Sequence, residues 1–227
     1  MPPFAAPFAD APSKLILSAA VLSWILAVPL WYVTKFVLVI AHEGGHALLT
    51  KLLFQRLRSI TFTKGAGGAT TPAGSVPWLF NVIIFLAGYL GPSAFGLLGA
   101  ELLIHGRVEE VLWASLAFLV VMLFAVRGVL GWLLVPGLIT VIWLVTVKVD
   151  PPMQTLYAHM WVWFLLIGAA QRMLLFVLHK QYDDDRNDSI ALQELTLVPS
   201  AIWAFVFLVG TITALVYGGA LLLRSAA

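Results

Sequence analysis

The sequence predicts an all-α protein, a polytopic transmembrane bundle of six or seven helices, and three observations support this fold class. The 227 residues are 61% hydrophobic and only 11% charged, whereas soluble domains carry about 25% charged residues. Several apolar stretches approach or exceed the ~20 helical residues that cross a bilayer. They do not alternate with a period of two, so helices are favoured over strands. This composition argues against a soluble enzyme and against a nucleic-acid-binding protein.

The apolar stretches set the predicted helices. They cover residues 15–54, 78–104, 108–126, 128–147, 153–178 and 200–223. The first stretch would form a helix of about 60 Å, which is twice the hydrocarbon thickness. Because proline interrupts a helix interior, we expect Pro29 to divide it into a short segment, 15–27, and a full span, 29–54. Residues 1–14 are expected to form an irregular tail, and residues 15–227 a single transmembrane domain.

The distribution of charge predicts the orientation of the chain. Basic residues cluster around the end of the first long stretch, at Lys51, Arg56, Arg58 and Lys64. Loops rich in Lys and Arg stay on the cytoplasmic side, which also places the later loop 179–190 in the cytoplasm. Residues 59–76 are rich in Thr and Gly, and we expect them to form a small β-hairpin at the cytoplasmic surface.

One motif in the predicted span 29–54 contains residues that could bind a metal ion and act in catalysis. Residues 42–46 read H-E-G-G-H and match the pattern H-E-x-x-H. Residues four apart lie on one face of a helix, so both imidazoles can bind one metal ion with Glu43 beside a metal-bound water. Imidazole ligands and the chain's lack of cysteine favour Zn²⁺ held without thiolates. The sequence therefore predicts a zinc site with His42 and His46 as ligands and Glu43 as general base.

Other interpretations of these residues stay open. The cluster is also consistent with hydrogen bonds between neighbouring helices, or with a zinc ion that only stabilises the bundle. A structural zinc normally has four protein ligands and needs no adjacent glutamate, which favours the catalytic interpretation. Gly44 and Gly45 either let a substrate backbone approach the metal or serve ordinary helix packing.

The motif and its surroundings resemble the site-2 protease family of intramembrane zinc metalloproteases, in particular its small bacterial branch without PDZ or CBS domains. The resemblance rests on residues 42–48 (H-E-G-G-H-A-L), the Gly-rich segment after them, and residues 87–93 (A-G-Y-L-G-P-S) in the next span. It implies a bacterial cell membrane, a transmembrane-helix protein as substrate, and zinc bound by the two histidines and a distant aspartate. The family's A-G-P-L-x-N pattern is altered here, and its N-x-x-P-x-x-P-L-D-G pattern is absent.

The third metal ligand is expected among the acids on the cytoplasmic side. Glu101 lies about 35 Å along its span from that side, and the outer loops hold Glu109, Glu110 and Asp150. The last cytoplasmic loop and the stretch after it hold Asp183, Asp184, Asp185, Asp188 and Glu194.

Among these acids Asp188 is favoured as the ligand. It precedes a helix-like stretch as an N-cap residue would, and residues 187–199 resemble a segment of the small branch. Asp184 and Asp185 are alternatives, His179 is a weaker one, and the acids also fit an ordinary solvated loop. Arg172, near the cytoplasmic end of its span, is expected to reach lipid headgroups.

Taken together, these features predict a zinc-dependent metalloendopeptidase that cleaves a peptide bond within or beside a transmembrane segment of another protein. We expect a multi-pass integral membrane protein whose active site opens toward the cytoplasm, with no nucleic-acid partner. The missing aspartate pattern favours one alternative, a catalytically inactive protein of the same fold that binds partner helices. A proton-coupled transporter is a third interpretation, although no internal repeat is visible. The oligomeric state is left open.

Overall fold

The computed structural model describes residues 12–65, 67–184 and 187–224. Within them the chain forms eight α-helices and one small sheet. The elements are α1 Pro12–Ala27, α2 Trp31–Leu52, β1 Leu57–Phe62, β2 Gly68–Pro72, α3 Trp78–Ile104, α4 Val108–Leu123, β3 Val126–Arg127, α5 Val129–Lys148, α6 Pro151–Leu178, α7 Asp188–Thr196 and α8 Ser200–Arg224. The all-α class is confirmed. Of the predicted tail, residues 1–11 lie outside the described residues, and α1 begins at Pro12.

The number of membrane-crossing helices is smaller than the predicted six or seven. Among the described residues, α3, α5, α6 and α8 are long and apolar enough to cross a bilayer. Helices α1 and α2 qualify only as a pair, bent by 100°, which gives up to five spans. The bend falls at residues 28–30, so the predicted break at Pro29 is confirmed.

Helix α4 accounts for one of the missing spans. It has only 16 residues, because the chain leaves the helix after Leu123 to form β3 instead of remaining helical to residue 126. The carbonyl oxygen of Ala125 accepts a hydrogen bond of 2.9 Å from the backbone N–H of Ile60. Pairing with the sheet thus replaces the last helical turn, an exchange that hydrophobicity alone does not reveal.

The sheet contains the predicted hairpin and one further strand. Strands β1 and β2 are antiparallel, with Ile60 opposite Thr70. Strand β3 pairs with β1 in parallel, with Ile60 opposite Val126, and the strand order is β2-β1-β3. Ile60 and Val126 are fully buried against α4 and α5. The hairpin is therefore attached to the helix bundle through β3, while β2 forms the edge beside α2.

The helices pack around α6. This helix contacts α1, α3 and α8, and its buried side chains include Phe164, Leu166 and Met173. Helix α5 lies at the periphery of the bundle, and only 17% of its apolar 18-residue stretch is buried by the rest of the protein. An apolar helix so weakly buried by protein is expected where the surrounding solvent is lipid, which agrees with an integral membrane protein.

The two motif glycines serve helix packing. A Cβ atom at Gly45 would collide with the carbonyl oxygen of Ala87 in α3, and Gly45 lies against Gly91 in the same helix. A Cβ atom at Gly44 would meet the ring of Phe118 in α4 at 2.6 Å. Of the two interpretations of these glycines, the described contacts support close helix approach.

Substitution of the glycines tests this packing. We expect Gly45→Ala to destabilise the protein by about 1–3 kcal/mol, because the α3 backbone cannot move aside as a side chain can. Gly44→Ala should cost less, since the Phe118 ring can rotate away. Thermal unfolding in detergent, followed by circular dichroism, measures both variants. Equal melting temperatures for the two variants, or a larger loss in Gly44→Ala, would contradict the assignment.

Candidate metal centre

Two helices bring three predicted ligand side chains together at one end of the bundle. Helix α2 supplies His42 and His46, and the N-terminus of α7 supplies Asp188. The three side chains line a cavity of about 360 Å³, together with Glu43 and Arg172. Both histidines are almost completely buried, with exposed fractions of 7% and 5%.

The distances between the donor atoms fit one tetrahedral metal ion. His42 Nε2 lies 3.2 Å from His46 Nε2. Asp188 Oδ2 lies 3.3 Å from the first nitrogen and 3.2 Å from the second. Zinc bonds of about 2.0–2.1 Å place the ligands of a tetrahedral centre about 3.3 Å apart. The triangle therefore matches three corners of such a centre, and two imidazoles with one carboxylate are a typical catalytic zinc set.

Two further features fit a cation at this point. Asp188 Oδ2 is buried, yet no described donor group approaches it with hydrogen-bond geometry. A Cβ atom at Gly88 in α3 would collide with Asp188 Oδ2 and His46 Nε2. The absence of a side chain at Gly88 is thus what allows the carboxylate and the imidazole to converge.

Neighbouring groups of α3 fix the orientation of the two histidine rings. His46 Nδ1 lies 2.7 Å from the carbonyl oxygen of Ile84, an acceptor that requires the proton to be on Nδ1 and leaves the Nε2 lone pair free for a metal. The Tyr89 ring lies edge-on to the ring of His42, with 4.7 Å between the centroids. Helix α3 therefore orients both imidazoles.

Asn187 positions Asp188. The sequence suggests Asp188 as the N-cap of the helix, but the N-cap of α7 is Asn187, whose Oδ1 accepts from the backbone N–H of Ser189 and of Ile190. Its Nδ2 donates to the carbonyl oxygens of Gln181, at 2.9 Å, and Asp184, at 2.7 Å. Since Asn and Asp are comparable caps, the sequence could not separate them. The shift by one residue leaves the Asp188 carboxylate free to face the histidines.

The electrostatic surroundings keep Asp188 ionised. Burial alone would raise the pKa of its carboxyl, but the positive charge that His46 and His42 carry when they are protonated outweighs burial and holds that pKa below its usual value. A carboxylate that stays charged in a buried site is prepared to bind a cation.

The other candidate ligands lie outside the cluster. Asp184 and His179 are exposed and are not part of the group that can hold a metal. Asp185 lies outside the described residues. Glu101 faces His105 at 3.2 Å, with both side chains more than half exposed.

Strand β2 holds the predicted general base in place. Glu43 is 2% exposed, and its Oε2 accepts a hydrogen bond of 2.7 Å from the hydroxyl of Thr70. Its Oε1 lies 3.9 Å from His42 Nε2. A Cβ atom at Gly68 would collide with this carboxyl group. The Thr- and Gly-rich composition predicts the hairpin, but no signal in the sequence identifies Thr70 and Gly68 as neighbours of Glu43.

Fold and site together define an integral membrane protein with a candidate metal centre of two histidines and one aspartate beside a buried glutamate. The chain matches the family model described as Peptidase M50B-like over residues 15–218. It therefore belongs to this family, the site-2 protease family of membrane metalloproteases, and the resemblance inferred from the motif is confirmed. No curated protein and no solved structure matches the chain significantly.

The role of Asn187 can be tested by two substitutions. Asn187→Ala removes both the cap and the two bonds to the 181–184 turn, and we expect the zinc affinity to fall by about 10–100-fold, as for loss of a ligand-orienting group. Asn187→Asp keeps the oxygen acceptor that caps α7, so its zinc affinity should fall by less. Competition with a fluorescent chelator measures the affinity. An unchanged affinity in Asn187→Ala would show that Asp188 needs no such support.

Proposed function

We propose that the protein is an intramembrane zinc metalloendopeptidase, which hydrolyses a peptide bond within or beside the transmembrane segment of a membrane protein. The observation that carries this proposal is the convergence of His42, His46 and Asp188 within 3.2–3.3 Å in a cavity that also holds Glu43. Family membership supports a metalloprotease.

His42, His46 and Asp188 would hold Zn²⁺ through one atom each. When bound, the metal supplies polarisation of a carbonyl group and acidification of water. Glu43 then acts as the base: Oε1 takes a proton from the attacking water, and the same carboxyl later delivers a proton to the leaving amine. The Thr70 hydroxyl holds Oε2, so the carboxylate keeps a defined orientation with Oε1 on the side of His42.

The position of β2 as an edge strand next to Glu43 is evidence that a substrate would bind with an extended backbone. Strand β2 pairs with β1 on one side and has no partner on its other side among the described residues. A peptide that added to this edge would lie extended near the hairpin residues that contact Glu43. A transmembrane helix would have to unwind locally to present its peptide bond in this way, because the carbonyl and N–H groups of an intact helix bond to each other.

The charge pattern supports entry of water from the cytoplasm. The metal centre lies near the C-terminal end of α2, close to the basic residues Lys51, Arg56 and Arg58. By the positive-inside rule this end of the bundle is cytoplasmic. His46 lies six residues, or about 9 Å of helix, before the end of α2. A site at this depth can exchange water and products without crossing the apolar half of the bundle. No described feature specifically favours the inactive partner-binding protein or the transporter.

Variants of the base and of the third ligand test the proposal separately. We expect Glu43→Gln to keep one zinc per chain and to lose cleavage by about 10²–10⁴-fold, because an amide cannot accept the proton. Asp188→Ala should lose zinc itself. Elemental analysis and gel-based cleavage of co-reconstituted single-span proteins in proteoliposomes measure the two effects. Retained cleavage in Glu43→Gln would refute the assignment of Glu43 as the base. An unchanged zinc content in Asp188→Ala would refute the assignment of Asp188 as a metal ligand.

A further inference from the structure

Arg172 is a charged residue inside the bundle that the proposed mechanism does not use. It lies six residues before Leu178, the end of α6, just as His46 lies six residues before Leu52, the end of α2. Six residues correspond to about 9 Å of helix. Arginines at such positions are rare and usually face a functional site. The sequence suggests headgroup contact, but the side chain lines the same cavity as Glu43 and Asp188.

A rigid aromatic ring supports the guanidinium group. Arg172 Cζ lies 5.7 Å from the centroid of the Tyr89 ring, which is the ring in edge contact with His42. Tyr89 is only 6% exposed and is packed by Phe176 and Phe207, each at a centroid distance of 5.0 Å. The packed Tyr89 ring therefore fixes the position of the guanidinium group in the cavity that the candidate metal ligands line.

The guanidinium has no carboxylate partner in contact. The ion pairs formed within the described part of the chain do not include Arg172, although its charge acts on both Glu43 and Asp188. An arginine presents five N–H donors in a rigid fork suited to anionic oxygen. Because no described carboxylate contacts this fork, donors remain available in the cavity to bind an anion that arises there.

The reaction itself generates such an anion. We propose that Arg172 is a catalytic residue, which donates hydrogen bonds to the scissile carbonyl oxygen as that oxygen becomes negatively charged. This inference rests on the proposed function. An acidic substrate side chain is a poorer occupant, because a carboxylate on a transmembrane substrate is costly at this depth. Positive groups aimed at a developing oxyanion are a major source of catalysis.

Water, Glu43 and Arg172 account for every bond and proton in the proposed hydrolysis. Water forms a bond to the carbonyl carbon while Glu43 accepts its proton, and the carbonyl electron pair moves to the oxygen that Arg172 binds. When the electron pair returns, the C–N bond breaks and the proton on Glu43 passes to the leaving nitrogen. Arg172 only donates hydrogen bonds in this sequence, so no further acid or base is required.

Kinetics of Arg172 variants test the role. Arg172→Met should lower kcat by about 10²–10³-fold, the usual effect of losing one oxyanion donor, with KM and zinc content unchanged. Arg172→Lys should recover part of the rate, because it restores the charge without the fork. Gln171→Met is the matched control, since Gln171 precedes Arg172 in α6 but does not line the cavity. A rise in KM alone would assign Arg172 to substrate binding and overturn the proposal.

Two zinc-directed probes decide the question without any cleavage assay. A phosphinate pseudodipeptide carries the tetrahedral anionic oxygen, whereas a hydroxamate with the same side chains does not. For zinc-loaded Arg172→Met we expect the phosphinate Kd to rise about 100-fold, in parallel with the lost transition-state binding, and the hydroxamate Kd to stay the same. Calorimetry in detergent measures both constants, with Gln171→Met again as control.

The probe results separate this inference from the proposed function. Equal phosphinate Kd values in the wild type and Arg172→Met would overturn the catalytic role. An equal loss of affinity for both probes in Arg172→Met, or a loss of zinc from that variant, would also overturn it. Either result would mean that Arg172 only supports the positions of Tyr89 and His42. A wild-type protein that binds the phosphinate through Arg172 but cleaves no membrane protein would uphold this contact and count against the protease function.

Discussion

The structure depends on placing three polar ligand atoms within 3.2–3.3 Å of one another inside an apolar bundle. Two imidazoles and a carboxylate so close together are costly in a low-dielectric interior unless a cation joins them. Most of the unusual local features serve this convergence. Gly88 leaves space for it, Gly45 brings α3 close enough to orient the imidazoles, and Asn187 sets the start of α7.

A second constraint concerns Glu43, the general base of the proposed mechanism, which would have to stay beside the metal without binding it. Glu43 is held from the other side by a sheet that belongs partly to the surface hairpin and partly to the α4–α5 connection. Strand β3 shortens α4 and ties the hairpin to the bundle through Ile60. The same pairing that reduces the number of spans therefore keeps Thr70 at the carboxylate. A fully helical segment up to residue 126 would leave the hairpin without this anchor.

Local sequence signals account for much of this arrangement. Hydrophobic length predicts α3, α5, α6 and α8, and Pro29 predicts the break before α2, because both depend on properties of a single segment. The H-E-x-x-H spacing likewise determines which side chains share a face of α2. The sequence could not indicate that β3 forms, that Gly88 lies under Asp188, or that Arg172 turns inward to Tyr89. Each of these depends on contacts between segments far apart in the chain, for which one sequence carries no pattern.

The proposed function requires a zinc ion held by two imidazole nitrogens and one carboxylate oxygen. X-ray absorption at the zinc edge, recorded on the purified wild-type protein in detergent, tests it directly. Zinc held in this way should show a first shell of four light atoms at about 2.0–2.1 Å with the outer-shell scattering of two imidazole rings. A shell of six oxygens, or a spectrum without imidazole scattering, would contradict it.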